Sequence, residues 1–282
     1  MDDNSSFETV ITARSGWFDI NLRELWRYRD LALLFVRRNF IANYKQTILG
    51  PAWAIVQPLL TTVVFTIVFG RLAKLPTDGV PPFLFYMCGN IAWGYFAGCL
   101  TATGSTFTQN AAIFGKVYFP RLTMPISTVM SQLISFAIQF LFFLGFLAFY
   151  SFLNKTVYLT PLIWLLPFFL LQMALLGLGC GIIVSSLTTK YRDLTMLVSF
   201  GTQLWMYATP VVYPAAMVPE KWQNLYRLNP MVAIIEGFRD MFFSTGTFNW
   251  TDCGISWAVT LLMLGIGVVL FSKVEKTFMD TV

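Results

Sequence analysis

The side chains best placed for acid or base chemistry are Glu236, Arg239 and Asp240, set inside the otherwise apolar run 231–243. A spacing of three puts Glu236 and Arg239 on one face of a helix, within reach of each other. As a reaction centre the trio is poor, because the chain contains no histidine, the commonest general base and metal ligand. Local pairing or capping of a helix explains it as well. Cys88, Cys99, Cys180 and Cys253 show no CxxC spacing, and three of them lie in apolar stretches, where cysteine acts as a small hydrophobe. Neither a disulfide nor a metal site is expected. A phosphate-binding loop ending at Gly115-Lys116 would need glycine at position 110 and Ser or Thr at position 117, where Asn110 and Val117 stand. The chain does not hydrolyse ATP by that device, and no catalytic residue, metal or cofactor is expected in it.

A second set of residues suits binding rather than reaction. Gln57 and Thr61, then Thr128, Gln132, Ser135 and Gln139, then Thr202 and Gln203 place uncharged polar groups within apolar runs, at spacings of three and four in the first two sets. They read as hydrogen bonds between helices or as the wall of a hydrated channel. Trp53, Phe65, Phe69, Trp205, Tyr207 and Tyr213 lie in the same runs and could stack on sugar rings, although most of the aromatic excess must face lipid or core. Gly94 with Gly98, and Gly177 with Gly181, fit the small-xxx-small pattern of close helix contact.

The elements that carry these residues follow from composition. Of 282 residues 56% are hydrophobic and only 12% charged, with a mean hydropathy of +0.65; a soluble domain carries about 25% charged residues. The bilayer is the expected solvent. The net charge of +5 comes from basic residues beside apolar spans, with no run of the kind that binds nucleic acid. With charges throughout the first fifty residues and no apolar stretch ahead of Thr47, no cleaved signal peptide is expected.

After a tail over residues 1–21, Asn21 with Glu24 resembles a capping box, and Leu22, Trp26, Leu33, Val36, Phe40 and Tyr44 recur at near-helical spacing. An amphipathic helix over residues 22–46 is expected, lying on the membrane or against a partner. Six spans follow, at about 52–70, 83–103, 124–152, 159–187, 195–213 and 255–272, each near the 20 residues a crossing needs. Pro58 should kink the first. No charged residue sits near the middle of any span, which disfavours ion coupling. With both termini in the cytoplasm, 13 of the 19 Lys and Arg residues fall inside and six outside, as the positive-inside rule requires. Segment 214–254 is then external, either a folded loop or a re-entrant pair of helices.

Four phrases carry a resemblance: Tyr44-Lys45-Gln46-Thr47-Ile48-Leu49-Gly50-Pro51-Ala52-Trp53, Lys116-Val117-Tyr118-Phe119-Pro120-Arg121, Tyr191-Arg192-Asp193-Leu194 and Leu228-Asn229-Pro230-Met231. In this order they resemble the permease subunits of type-2 ABC exporters for polysaccharide and polyol phosphate, which serve O-antigen, capsule and teichoic acid. The resemblance runs from about residue 22 to the end. It implies an all-α transmembrane domain over residues 22–282 in the bacterial cytoplasmic membrane, working as a homodimer with two copies of a separate cytoplasmic ATPase subunit. ATP and Mg would bind that partner, and lipid-linked polysaccharide would pass between the two permeases.

By the same resemblance, helix 22–46 becomes the interface helix that receives the ATPase stroke. Arg37, Arg38, Lys45, Lys116, Arg121, Tyr191, Arg192 and Asp193 become coupling candidates. Asn229 and Pro230, with Glu236 and Arg239, become candidates for re-entrant external gate helices. The first and fifth spans would line the conduit, making Trp53, Gln57, Thr61, Phe65, Phe69, Gln203, Trp205, Tyr207 and Tyr213 the candidate substrate contacts. An ABC exporter permease for lipid or drug cargo shares the architecture. A membrane enzyme acting on lipid-linked sugars would need a better acid-base or metal cluster than the Glu236 trio.

Overall fold

The computed structural model of the chain describes residues 22–45, 47–114, 119–154, 160–188 and 193–281, and those residues are helical almost throughout, with no strand among them. The expected tail over residues 1–21, and Lys116, Tyr191 and Arg192 among the coupling candidates, lie outside the described residues.

The amphipathic amino-terminal segment forms two helices, α1 (Leu22–Arg27) and α2 (Arg29–Tyr44), joined at Tyr28. The expected apolar stripe is only partly the buried one. Ala32, Phe35 and Val36 are buried, whereas Trp26 is 69% and Leu33 54% exposed. The reason is that α2 packs along α6 (Thr123–Asn154), so the face that fits this neighbour is buried and Leu33, Leu34 and Ile41 turn away from it.

Gly50 opens the next element. Its φ of +54° is a backbone region that an L-residue enters at a cost, and it starts a 3-10 turn, Gly50–Ala52, leading into α3 (Trp53–Phe65). The helix continues through Pro58 and ends in a π-helical stretch, Thr66–Leu72. Proline leaves a carbonyl of the preceding turn without its usual donor. Near it, the Pro58 carbonyl accepts from Thr62 Oγ1 at 2.8 Å and from Asn90 Nδ2 of the next helix at 3.2 Å.

That next helix, α4 (Pro82–Gly104), is the axis of the molecule, with Leu84, Phe85, Phe96 and Cys99 wholly buried. It packs against α3, α6, α7 (Leu166–Thr188) and α10 (Pro230–Phe243). Apolar area gains little by leaving lipid for protein, so helices in a bilayer associate where backbones approach closely. Gly177 and Gly181 supply that approach on α7: a Cβ at either would collide with Cys99 or Thr103 and with the Phe96 or Leu100 carbonyl of α4. Gly94 and Gly98 face the other way, toward Gln139 and Gln132 of α6. A third close contact, absent from the sequence reading, joins Gly179 of α7 to Gly267 of α11 (Trp250–Thr281).

Five helical segments are long and apolar enough to cross a membrane: Gly50–Leu72, Pro82–Gly104, Thr123–Leu153, Pro161–Thr188 and Trp250–Lys273. The expected fifth span, 195–213, is instead a 14-residue helix, α8 (Leu194–Tyr207), followed by turns through Thr209 and Pro210. At 1.5 Å per residue it is about 21 Å long, short of the ~30 Å hydrocarbon core. The helix stops just ahead of Pro210, which has no N–H to continue it, and Asn229 and Arg239 take carbonyls of the turns beyond, as described below. The polar segment after the second span contains α5 (Thr106–Phe114). Segment 214–254 folds into α9 (Glu220–Arg227) and α10, and α11 begins within it at Trp250.

Candidate functional site

The two ends of α4 define two functional regions. Where α4 ends, α5 begins, and an aromatic cluster of Phe35, Phe107, Phe114, Phe119 and Phe271 draws together α2, α5 and α11. Phe107 stacks on Phe271 with centroids 5.1 Å apart, and Phe35 lies 5.6 Å from Phe119. Arg38 reinforces the join. Its guanidinium sits 5.0 Å over the Phe35 ring and donates from Nη2 to Asn110 Oδ1 at 2.9 Å. Tyr44 and Ser135 share a hydroxyl contact of 3.3 Å between α2 and α6. Among the coupling candidates, Arg37 and Lys45 are exposed on α2 and at its end, Arg121 is half-buried ahead of α6, and Asp193 is exposed ahead of α8. Arg38 is built into the helix contact.

At the opposite end of α4, the Glu236 and Arg239 pair is buried, with Arg239 1% exposed. Arg239 Nη1 donates to Glu236 Oε1 at 2.8 Å and to the Tyr213 carbonyl at 3.2 Å, and Nη2 donates to the Val211 carbonyl at 3.1 Å. The guanidinium also lies 3.8 Å from the ring centroid of Phe85 on α4. Its Nε is buried without a partner, whereas the carboxylate accepts at both oxygens. Oε1 accepts from the Ala215 amide at 3.4 Å, and Oε2 accepts from the Thr247 amide at 3.1 Å and Thr247 Oγ1 at 3.2 Å. One ion pair thus ties α10 to the segment after α8, to the approach to α11 and to α4. Such a pair is a joint, with both Glu236 oxygens taken up in holding it. Asp240 is half-buried outside this joint, its pKa raised by burial and then by the Glu236 carboxylate.

Asn229 is a second joint. Its Oδ1 caps α10 by accepting from the Met231 amide and also accepts from Trp205 Nε1, both at 3.1 Å. Its Nδ2 donates to Thr209 Oγ1 at 2.9 Å and to the Ala208 carbonyl at 3.2 Å. Pro230 follows as the first helical residue of α10, where its missing N–H costs nothing. The gate candidates therefore belong to two joints along α10, Asn229 with Pro230 at its start and Glu236 with Arg239 farther along it.

The conduit candidates divide into two groups. Trp53, Gln57, Gln203 and Tyr207 lie on exposed faces of α3 and α8, and Thr61 beside them is half-buried with its hydroxyl turned back onto the Gln57 carbonyl. The others are packed. Phe65 contacts Phe69 and Tyr86, Trp205 lies against Trp93 and Phe96, and the Tyr213 hydroxyl donates to the Tyr207 carbonyl. On α6, Gln132 and Gln139 point at the glycines of α4 and Ser135 meets Tyr44, so that stripe serves helix contacts.

Residues that the sequence reading missed include Thr247, Asn90 and Phe85, which complete the joints, and Asn110 opposite Arg38. Each is a single polar or aromatic residue in a loop or apolar run, with no periodicity to mark it.

With this geometry in place, comparison with other proteins is informative. The sequence model of the family described as ABC-2 type transporter matches residues 31–243. Among similar proteins, the O-antigen export system permease protein RfbA of Klebsiella pneumoniae is 28% identical over 257 residues, covering 89% of this chain and 94% of the relative. A protein of the same name from Myxococcus xanthus is 26% identical over 266 residues, covering 93% and 98%. The capsule polysaccharide export inner-membrane protein CtrC of Neisseria meningitidis is 23% identical over 252 residues, covering 84% and 89%.

Proposed function

The chain belongs to the ABC-2 type transporter family, and from that premise we propose that it is the permease subunit of an ATP-driven exporter of lipid-linked polysaccharide, of the O-antigen or capsule kind, in the bacterial cytoplasmic membrane. The names of its near full-length relatives, O-antigen and capsule export permeases, favour this cargo over lipid or drug; teichoic acid belongs to the same class of cargo.

Two copies of the chain assemble with two copies of a cytoplasmic ATPase, and both termini face the ATPase. The observation that carries the assembly is the exposed apolar surface on α3 and α8, where Leu60, Val64, Ile67, Leu197, Phe200 and Leu204 have no cover from the chain itself. In the dimer these faces, with Trp53, Gln57, Gln203 and Tyr207, border the polymer path. Uncharged polar and aromatic walls suit a carbohydrate, offering hydroxyl partners and ring faces without a deep electrostatic well. The short α8 serves as the sixth crossing because the turns beyond it and α9 and α10 fill its outer end, and irregular backbone at membrane depth is tolerated when buried in protein. There α9 and α10 form the external gate.

The stroke enters through α2. Because Arg38 and the Phe35 cluster bind α2 to α5, the two move as one body, with Gly50 the pivot into α3. A test is to solubilise the tagged protein from its own host and ask whether a nucleotide-binding subunit copurifies in equal amount and hydrolyses ATP. A two-to-two ATPase complex is expected; a permease that comes down alone after crosslinking would leave the exporter without its energy source.

A further inference from the structure

The external segment encloses a cavity of about 360 Å³ between α9, α10 and the start of α11, bordered by Gln223, Tyr226, Arg227, Phe248, Asn249 and Asp252. That volume lies near the lower end of small-ligand pockets, about 300 to 1,000 Å³, the space of a single ring with its substituents. We propose that this cavity binds one uncharged sugar ring, at a position separate from the conduit. The inference rests on the exporter reading, which brings a polysaccharide to this end of the protein.

Three observations carry the chemistry. First, Asp252 Oδ1 is buried without a hydrogen-bond partner, and Arg227 Nε at 3.6 Å is too distant to serve as one. That oxygen is closed to any ligand atom, but the Asp252 side chain is 22% exposed and borders the cavity, so its other carboxylate oxygen, Oδ2, is the one placed to accept from a sugar hydroxyl. Second, the wall combines two aromatic side chains, Tyr226 and Phe248, with the amide side chains of Gln223 and Asn249, a mixture suited to a pyranose with apolar faces and a polar rim. Third, the charges balance. Asp252 stands opposite Arg227, and Glu236, which also borders the cavity, is neutralised by Arg239. An anionic sugar or phosphate would meet two carboxylates, and Glu236 has both oxygens committed, so a metal ion finds no ligand set. A polymer leaving the dimer would meet this pocket as a resting point beyond the conduit.

The test uses the full chain with its copurifying partners in nanodiscs and saturation-transfer NMR against methyl pyranosides of glucose, galactose, mannose and rhamnose, with methyl glucuronide for comparison. Transfer to at least one neutral glycoside is expected, falling at least fivefold in Ala216→Trp, which fills the cavity from an exposed position, and in Asp252→Ala. Either variant suffices if its melting temperature matches that of the parent. The assignment is overturned by absence of transfer to every neutral glycoside, by undiminished transfer in a folded variant, or by preference for the glucuronide. Surface polysaccharide is scored in parallel in the deletion strain. If deletion leaves it intact, the exporter reading fails whatever the spectra show; if deletion abolishes it and the spectra are blank, only the cavity assignment fails.

Discussion

Glu236 and Arg239 show how one pair of charges can organise a region without doing chemistry. Taking one partner from a buried pair leaves an uncompensated charge and costs about 3–5 kcal/mol, while replacing both can be nearly neutral. Arg239→Met alone should therefore lower the unfolding temperature sharply, and Glu236→Leu combined with Arg239→Met should recover part of the loss. Thermal scans in detergent of these two variants and of Glu236→Leu alone check this; additive losses would mean that the two residues do not act as a pair. Asn229 should be similarly sensitive. Asn229→Ala removes the α10 cap and three further hydrogen bonds, for an expected cost of about 1–3 kcal/mol. Asp78 gives a pH-dependent case. Burial, and then the Glu236 carboxylate, raise its pKa, with Arg239 opposing. A raised carboxylate pKa means that stability is fullest below the unfolded value of about 3.9 and declines as pH rises through the folded one. Asp78→Asn, which keeps a residue tolerant of the φ of +51° found there, should raise the unfolding temperature at pH 7 and lose that advantage near pH 3.

At the scale of elements, the contacts that matter are those where nothing fits except hydrogen. Gly177→Val forces a branched side chain against Cys99 and the α4 backbone, and overpacking of this kind costs about 1–3 kcal/mol or more. The same change at Gly145, which meets nothing within 4 Å, should be near neutral, and comparing the two unfolding temperatures separates close packing from helix propensity. The junction from α2 to α3 makes a functional prediction instead. A flexible Gly/Ser insertion between Lys45 and Trp53 should leave ATP hydrolysis running while export falls, because force no longer passes from the α2–α5 body into α3. Equal export from the insertion variant would sink that mechanism.

For the whole molecule, the uncovered faces of α3 and α8 require an occupant. Contiguous exposed apolar surface is satisfied by lipid or by a second copy, and crosslinking discriminates between them. Leu197→Cys or Phe200→Cys, in a background without the four native cysteines, should give a disulfide-linked dimer on mild oxidation. Ile182→Cys, buried inside the subunit, should not. Monomer in every case would leave these faces to lipid and remove the conduit from between α3 and α8.

Much of this was legible in the residues themselves. Apolar runs of about 20 residues dictate crossings because a bilayer leaves no other way to satisfy the backbone, so four of the spans fall within a few residues of their expected limits. Gly177 and Gly181 likewise marked a close helix contact, whereas Gly94 has room for a Cβ. Tertiary structure alone decided the rest. Pro210 marks a stop for α8 in the sequence, but what satisfies the carbonyls beyond Tyr207 is decided by Asn229 and Arg239, which are distant in sequence. Which face of α2 is buried depends on α6, because apolar residues occupy more than one side of that helix. Gln57 and Gln132 carry the same side chain, yet one lies exposed and the other against Gly98. Periodicity fixes which residues share a face, but only the neighbouring helices determine what that face meets.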